Sequence, residues 1–131
     1  MGLKNSEHIG NIVVHPENSD IIYVSAYGPL WKKGGDRGLY KSVDGGKNWK
    51  SIDYPNMHGD HHALWVNPNR TGHMIAGNDG GLNITYDDGE NWMKYNSTSV
   101  GQFYDINIDM KKPYNVYGCF QDNGVWMGPS D

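Results

Sequence analysis

Apolar and polar residues alternate along this chain in short runs separated by Gly, Pro, Asn and Asp, the pattern of half-exposed strands joined by tight turns. Three apolar runs end in a Pro-containing turn: Ile12-Val-Val-His-Pro16, Leu64-Trp-Val-Asn-Pro68 and, more loosely, Ile106-Asn-Ile-Asp-Met-Lys-Lys-Pro113. Alternation and punctuation together predict eleven strands and no helix. They fall near residues 9–15, 21–26, 38–43 and 49–53, then 62–67, 73–77, 81–86 and 92–95, and last 103–109, 115–120 and 124–127.

The pattern repeats with a period of 43 residues. Ser42-Val-Asp44-Gly-Gly46-Lys-Asn-Trp49 returns as Thr85-Tyr-Asp87-Asp-Gly89-Glu-Asn-Trp92, and Asp36-Arg-Gly38-Leu39 returns as Asp79-Gly-Gly81-Leu82 and Asp122-Asn-Gly124-Val125. A period of this size carrying four short strands, A to D, is the signature of a β-propeller blade. The expected fold is therefore all-β: a partial propeller of three four-stranded antiparallel blades near 9–53, 61–96 and 102–131, the third lacking its outer strand. The B–C loop of the first blade, residues 26–38, is longer than its counterpart by nine residues.

Composition agrees. The chain of 131 residues holds 18 Gly, and its aromatics are nine Tyr and five Trp against two Phe, a mixture suited to strands and turns and too aromatic for disorder. A net charge of −4 without a Lys/Arg cluster argues against nucleic acid as a partner. No apolar run approaches the about 20 residues needed to span a bilayer. The N-terminus shows no basic-then-apolar leader, and the compartment stays open. The single cysteine, Cys119, excludes an internal disulfide and is expected to be a small buried residue of a B strand. Three Asn-x-Ser/Thr sequons, at Asn69, Asn83 and Asn96, are ascribed to chance in a chain rich in these residues.

The repeated Ser/Thr-x-Asp-x-Gly-x-x-Trp element falls between strands C and D, where a sharp hairpin is required. Asp44 and Asp87 are suited to accept hydrogen bonds from turn N–H groups, with Ser42 and Thr85 assisting. Gly46 and Gly89 supply positive φ, and Trp49 and Trp92 cover the turn. Because the same chemistry recurs in both blades, these eight residues are read as structural, not as catalytic groups or calcium ligands.

These two elements resemble the Asp-box, or bacterial neuraminidase repeat, of sialidases, xyloglucan-cleaving glycoside hydrolases and sortilin-type ectodomains, all of which are β-propellers. The stretches Gly38-Leu-Tyr-Lys-Ser-Val-Asp-Gly-Gly-Lys-Asn-Trp49, Asp60-His-His-Ala-Leu-Trp65, Gly77-Asn-Asp-Gly-Gly-Leu82, Gly101-Gln-Phe-Tyr104 and Gln121-Asp-Asn-Gly124 are similar to large bacterial sortilin-like or glycosyl-hydrolase-like repeat proteins. Those relatives are several times longer and often exported. The resemblance implies a propeller with a glycan or protein ligand. A sialidase is not expected, because those enzymes grip a carboxylate with three arginines and this chain has Arg37 and Arg70 alone.

In a propeller, strand A lines the channel, and D–A and B–C loops share one face while A–B and C–D loops share the other. The first face then receives Trp31, His58, Asp60, His61, Asn78, Asp79, Gln102, Tyr104, Gln121 and Asp122, imidazoles, carboxylates, amides and aromatics suited to sugar hydroxyls and ring stacking. His58, Asp60 and His61 also offer nitrogen and oxygen ligands of the kind that hold zinc. Yet His61 and His62 are adjacent on a strand and point to opposite faces, so at most one joins the other two. A hydrogen-bonded or sugar-contacting cluster is preferred, with no metal or cofactor. Asp60, Asp79 and Asp122 are the carboxylates available for a two-carboxylate glycosidase, but the Asp-x-Gly element recurs in every unit and reads as loop-ordering.

Three functions therefore compete: a module binding carbohydrate or protein on the D–A/B–C face, a glycan-cleaving hydrolase using its carboxylates, and a structural piece of a larger propeller. Binding is favoured, since no carboxylate pair stands apart from the repeat. An open set of blades exposes apolar faces, so self-association, as in a ring of two chains, or union with the remainder of a larger propeller is expected.

Overall fold

A computed structural model of the chain describes residues 2–53, 55–95 and 101–131. The sequon at Asn96 and the expected end of the second blade at residue 96 lie outside the described residues. Among the described residues there are eleven strands and no helix, and hence no helix long and apolar enough to cross a membrane. The first sheet has the order β1 (Ile9–His15), β2 (Asn18–Tyr27), β3 (Arg37–Ser42), β4 (Lys50–Ser51); the second has β5 (His61–Val66), β6 (Met74–Asn78), β7 (Gly81–Thr85), β8 (Met93–Tyr95). The third, β9 (Phe103–Ile108), β10 (Asn115–Phe120) and β11 (Val125–Pro129), has three strands. All pairings are antiparallel between sequence neighbours, so each sheet is a meander built from local hairpins.

The chain divides into two compact units, Met1–Asn96 and Ser97–Asp131. In the first, two sheets pack face to face. The register places Val13, Tyr23 and Lys41 in one row of the first sheet, with Leu39 beside them; this is its front face. Leu64 and Ala76 form a row of the second sheet, with Val66 and Met74 next to it; this is its back face. Tyr23, Leu39 and Ile52 from one sheet and Leu64, Met74 and Ala76 from the other make one buried cluster, with Val13, Val66 and Trp92 against it. Burying such side chains contributes about 1.5–3 kcal/mol each for the larger ones and is the main force joining the two sheets.

β4 is shorter than the predicted 49–53, and the reason is a side chain. Leu39 and Ile52 come next in register, and Ile52 N donates to Leu39 O at 2.9 Å. Leu39 N, however, donates to Asp53 Oδ1 at 2.7 Å, and Ile52 O accepts from Trp92 Nε1 at 2.8 Å. The Asp53 carboxylate thus replaces a ladder partner and frees a carbonyl to tie the second sheet to the first. The carboxylate occupies space beside Gly38, where any Cβ would lie 1.7 Å from Asp53 Oδ2 and φ is +129°; only glycine fits there.

In the second unit the register aligns Ile106 with Gly118 and Trp126, and Tyr117 with Met127. Phe103 packs edge-on against Phe120, ring centroids 4.3 Å apart. Cys119 corrects the sequence reading: it is exposed. It shares its face with Tyr117, Val125 and Met127, and the last two are also exposed, so this side of the three-stranded sheet has no covering layer among the described residues. In the first sheet the B strand is buried at Tyr23, Val24, Ser25 and Ala26, on both of its faces, whereas Cys119 has no such cover.

Candidate functional site

In the first unit the loops of one end carry the predicted chemistry. Arg37 opens β3 at the end of the long B–C loop; His58 and Asp60 lie in the D–A loop, and Asp79 in the tight turn between β6 and β7. Arg37 Nη1 reaches Asp60 Oδ1 at 2.6 Å, while Nη2 donates to Pro29 O at 3.0 Å and ties the long loop to the pair. His58 Nδ1 lies 3.7 Å from Asp60 Oδ2, and Asn78 Nδ2 donates to His58 O at 3.0 Å. His62 Nε2 is 2.6 Å from Asp79 Oδ1, and its Nδ1 is 3.3 Å from Tyr27 Oη. Donor atoms of His58, Asp60 and Asp79 all fall within 4.8 Å of one another.

Two predicted assignments change. His61 is 1% exposed and turned from the cluster onto Asp53 Oδ1, at 3.1 Å. The side chain that joins the surface chemistry is its neighbour His62, on the other face of β5. His61 thus drops out of both the ligand-binding set and the group with metal-ligating chemistry, where Asp79 takes its place beside His58 and Asp60. Both carboxylates in that group already face a partner, Arg37 for Asp60 and His62 for Asp79. Trp31 stands almost fully in solvent, 96% exposed, on the loop that Arg37 anchors. That loop is braced from the N-terminal segment, where Asn5 N donates to Asp36 Oδ2 at 3.0 Å and Lys32 pairs with Glu7 at 2.6 Å.

In the second unit, Gln102 and Gln121 meet through the backbone, Gln121 N donating to Gln102 O at 2.9 Å. Asp122 takes a positive φ of 58° at the tip of the turn, and Asn123 beside it donates to Gln121 O at 3.1 Å. Tyr104 is 74% exposed. These four predicted residues therefore gather at one end of their own sheet.

The repeated hairpins lie at the opposite end of the first unit's sheets and are satisfied internally. Ser42 Oγ donates to Asp44 Oδ1 at 2.8 Å and accepts from Gly46 N at 2.9 Å; Asn48 donates to both oxygens of Asp44, from N at 2.9 Å and Nδ2 at 2.6 Å. Thr85, Asp87, Gly89 and Asn91 repeat this bond for bond. In Asp44 the hydrogen bonds from Asn48, backbone then side chain, followed by that from Ser42, hold the carboxyl near pKa 2. Asn91 does the same for Asp87, side chain first, again to about 2. The asparagines recur in both copies and form a fifth part of the turn. Trp49 Nε1 closes on its own turn at Gly46 O, 3.0 Å, whereas Trp92 reaches across to Ile52.

A cleft of about 350 Å³ opens between the two hairpins, lined by residues including Lys41, Trp49, Ile52 and Asp88. It lies at the end away from His58, Asp60 and Asp79. Lys41 pairs with Asp88, which also accepts from Tyr23 Oη at 2.9 Å; burial, then that bond, raises the Tyr23 phenol pKa well above its ordinary value. Lys41 and Asp88 are thus paired with each other in the cleft wall.

No protein-family model matches the chain, and no curated protein matches it by sequence. Solved structures do. The GH74 enzyme of Niastella koreensis superposes with a TM-score of 0.52 at 15% identity, covering 96% of this chain and 20% of that one. The GH74 xyloglucanase from Xanthomonas campestris gives 0.51 at 12% identity, covering 98% and 30%. The shared feature is the fold: these enzymes are β-propellers, and the present sheets are propeller blades, two of four strands and one of three. The chain spans between about a fifth and a third of the length of these neighbours.

Proposed function

We propose that the chain is an Asp-box propeller module that binds a carbohydrate or protein ligand on its D–A/B–C face. The observation that carries this reading is the set of hydrogen-bonding groups at one end of the first unit: Arg37, His58, Asp60, His62 and Asp79, with Tyr27 among them and Trp31 exposed on the loop that Arg37 anchors. Paired carboxylate and guanidinium groups match the vicinal hydroxyls of a sugar, and an exposed indole offers a face for its ring. Gln102, Tyr104, Gln121 and Asp122 add amides and an aromatic ring at the corresponding end of the second unit. Self-association, or union with further blades, accompanies this reading.

Cleavage is the weaker reading. Asp60 and Asp79 offer oxygens within 4.8 Å of each other, shorter than the roughly 6.5–9.5 Å of an inverting acid–base pair and nearer the about 5–5.5 Å of a retaining one. Both, however, belong to loops whose Asp is already engaged, by Arg37 and by His62. A glycan array read beside a reducing-sugar assay tests this. The expected result is retention of a glycan, or of a protein partner in a parallel screen, that weakens on Trp31→Ala and Asp60→Asn without sugar release. Sugar release abolished by Asp60→Asn, with the fold intact, would refute the binding reading in favour of hydrolysis.

A further inference from the structure

The long loop between β2 and β3, residues 28–36, has an exposed tip and a held base. Leu30, Trp31, Lys32 and Lys33 stand in solvent, whereas Gly28 and Pro29 are buried. Arg37 holds the base from one side through Pro29 O. Residues 5–8, ahead of β1, hold it from the other. Asn5 and Asp36 bond reciprocally: Asn5 N donates to Asp36 Oδ2 at 3.0 Å, and Asp36 N to Asn5 O at 3.2 Å. His8 Nδ1 lies 3.2 Å from Gly28 O, Tyr27 N donates to His8 O at 2.9 Å, and Glu7 pairs with Lys32 at 2.6 Å. The approach leaves no room for a side chain, since a Cβ on Gly35 would lie 2.6 Å from Asn5 O and 2.3 Å from Pro29 Cδ. Glu7 has a φ of 51°, a left-handed backbone that a residue with a side chain keeps only where its surroundings fix it. Buried Ser6 before it and the bonds of His8 after it do so.

We propose that residues 5–8 are a positioning strap: they fix where the loop presents Trp31, and so set how strongly the D–A/B–C face holds a glycan. The proposal rests on the binding reading of that face and names the segment that tunes it. An indole on a free loop loses conformational freedom when a sugar ring stacks on it. One whose loop is already held at its base loses less, and the difference appears as affinity. The strap also bears on selectivity. Arg37 joins the held base to Asp60 through Pro29 O and Asp60 Oδ1, so indole and carboxylate keep one spacing. A glycan whose ring and hydroxyls match that spacing is preferred over one that would need the loop to move.

Limited trypsin digestion of the full chain reads the strap without a ligand, and the glycan array reads its effect on binding. Cutting after Lys32 or Lys33 needs the loop to open, so its rate follows the open fraction; cutting after exposed Lys111, in the second unit, is the internal reference. Asp36→Ala removes the acceptor of Asn5 N, and Gly35→Ala displaces the strap by bulk. Each is expected to speed the loop cut about 5- to 30-fold, the effect of losing one hydrogen bond to a charged group, with the Lys111 cut and the circular dichroism spectrum unchanged. Both variants weaken retention of the arrayed glycans that the wild-type chain holds. Asp36→Asn, which keeps an acceptor oxygen, restores slow cutting and retention together. Loop cutting left unchanged by both variants, or faster cutting with retention untouched, overturns the strap while the binding reading stands. A wild-type chain that retains neither a glycan nor a protein overturns the binding reading, and the strap's part in affinity with it.

Discussion

Leu64 and Ile12 occupy the same place in the repeat but have unlike surroundings, and replacing each by alanine measures what the packing of the two sheets is worth. Leu64→Ala removes about three methyl or methylene groups from the buried cluster, a transfer term of about 2.4 kcal/mol at roughly 0.8 kcal/mol each. The site is closed by Tyr23, Leu39 and Met74 and collapses incompletely, which raises the total to roughly 3–4 kcal/mol. Ile12 is 61% exposed, so less than half of the same term is at stake and no enclosed cavity forms; Ile12→Ala costs about 1 kcal/mol or less. Urea unfolding followed by far-ultraviolet circular dichroism reads the difference. With a slope of about 1–3 kcal/mol per molar, Leu64→Ala lowers the midpoint by about 1–4 M and Ile12→Ala by about 1 M or less. The measurement belongs at a dilution where the wild-type chain sediments as a monomer, so that association does not add to the Ile12 value. Equal losses for the two variants would refute the packing of the second sheet's back face on the first sheet's front.

Gly38→Ala places a Cβ into the Asp53 carboxylate and lowers stability by about 1–3 kcal/mol, whereas Gly124→Ala, whose added atom meets nothing within 4 Å, pays only for its positive φ; the same unfolding assay separates them. Trp92→Phe loses the bond to Ile52 O across the sheets and costs about 1–2 kcal/mol, more than Trp49→Phe, whose bond lies within its own turn; equal effects would contradict the bridging role. Asp44, Asp87 and Asp109, the last held by Asn115 N and Nδ2, all have folded pKa values of about 2, below the ordinary 3.8. A depressed folded value means their contribution is complete above about pH 4 and is lost as pH falls through 2. Midpoints measured between pH 5 and 2 should therefore drop, and drop less in Asp87→Asn.

Much of this was legible because the signals were local. Gly, Pro and Asp punctuation placed strands such as β1, β5 and β10 closely, and the Ser/Thr, Asp, Gly and Trp of each hairpin revealed a turn that satisfies itself. What escaped depends on sequence-distant partners. Asp53 reads as an ordinary strand end until it takes Leu39 N and shortens β4. Arg37 counted only toward a carboxylate clamp, yet it holds Asp60, 23 residues away. Strand alternation separated His61 from His62, but counting back from buried Leu64 it would turn His62 inward; the bulge between His61 and Ala63 reverses this and buries His61. Cys119 escaped because nothing in its own strand says whether a layer covers that face. Asn48 and Asn91 were visible as a recurring letter and lacked only a geometric role.

Repeats of one architecture in a single polypeptide invite mispairing during folding, since one blade can dock where another belongs. The left-handed Asp88 works against that error. It replaces the glycine of the first hairpin at some conformational expense and uses its carboxylate for Lys41 and Tyr23, so the order of the first two sheets is held by a charge pair as well as by apolar contact.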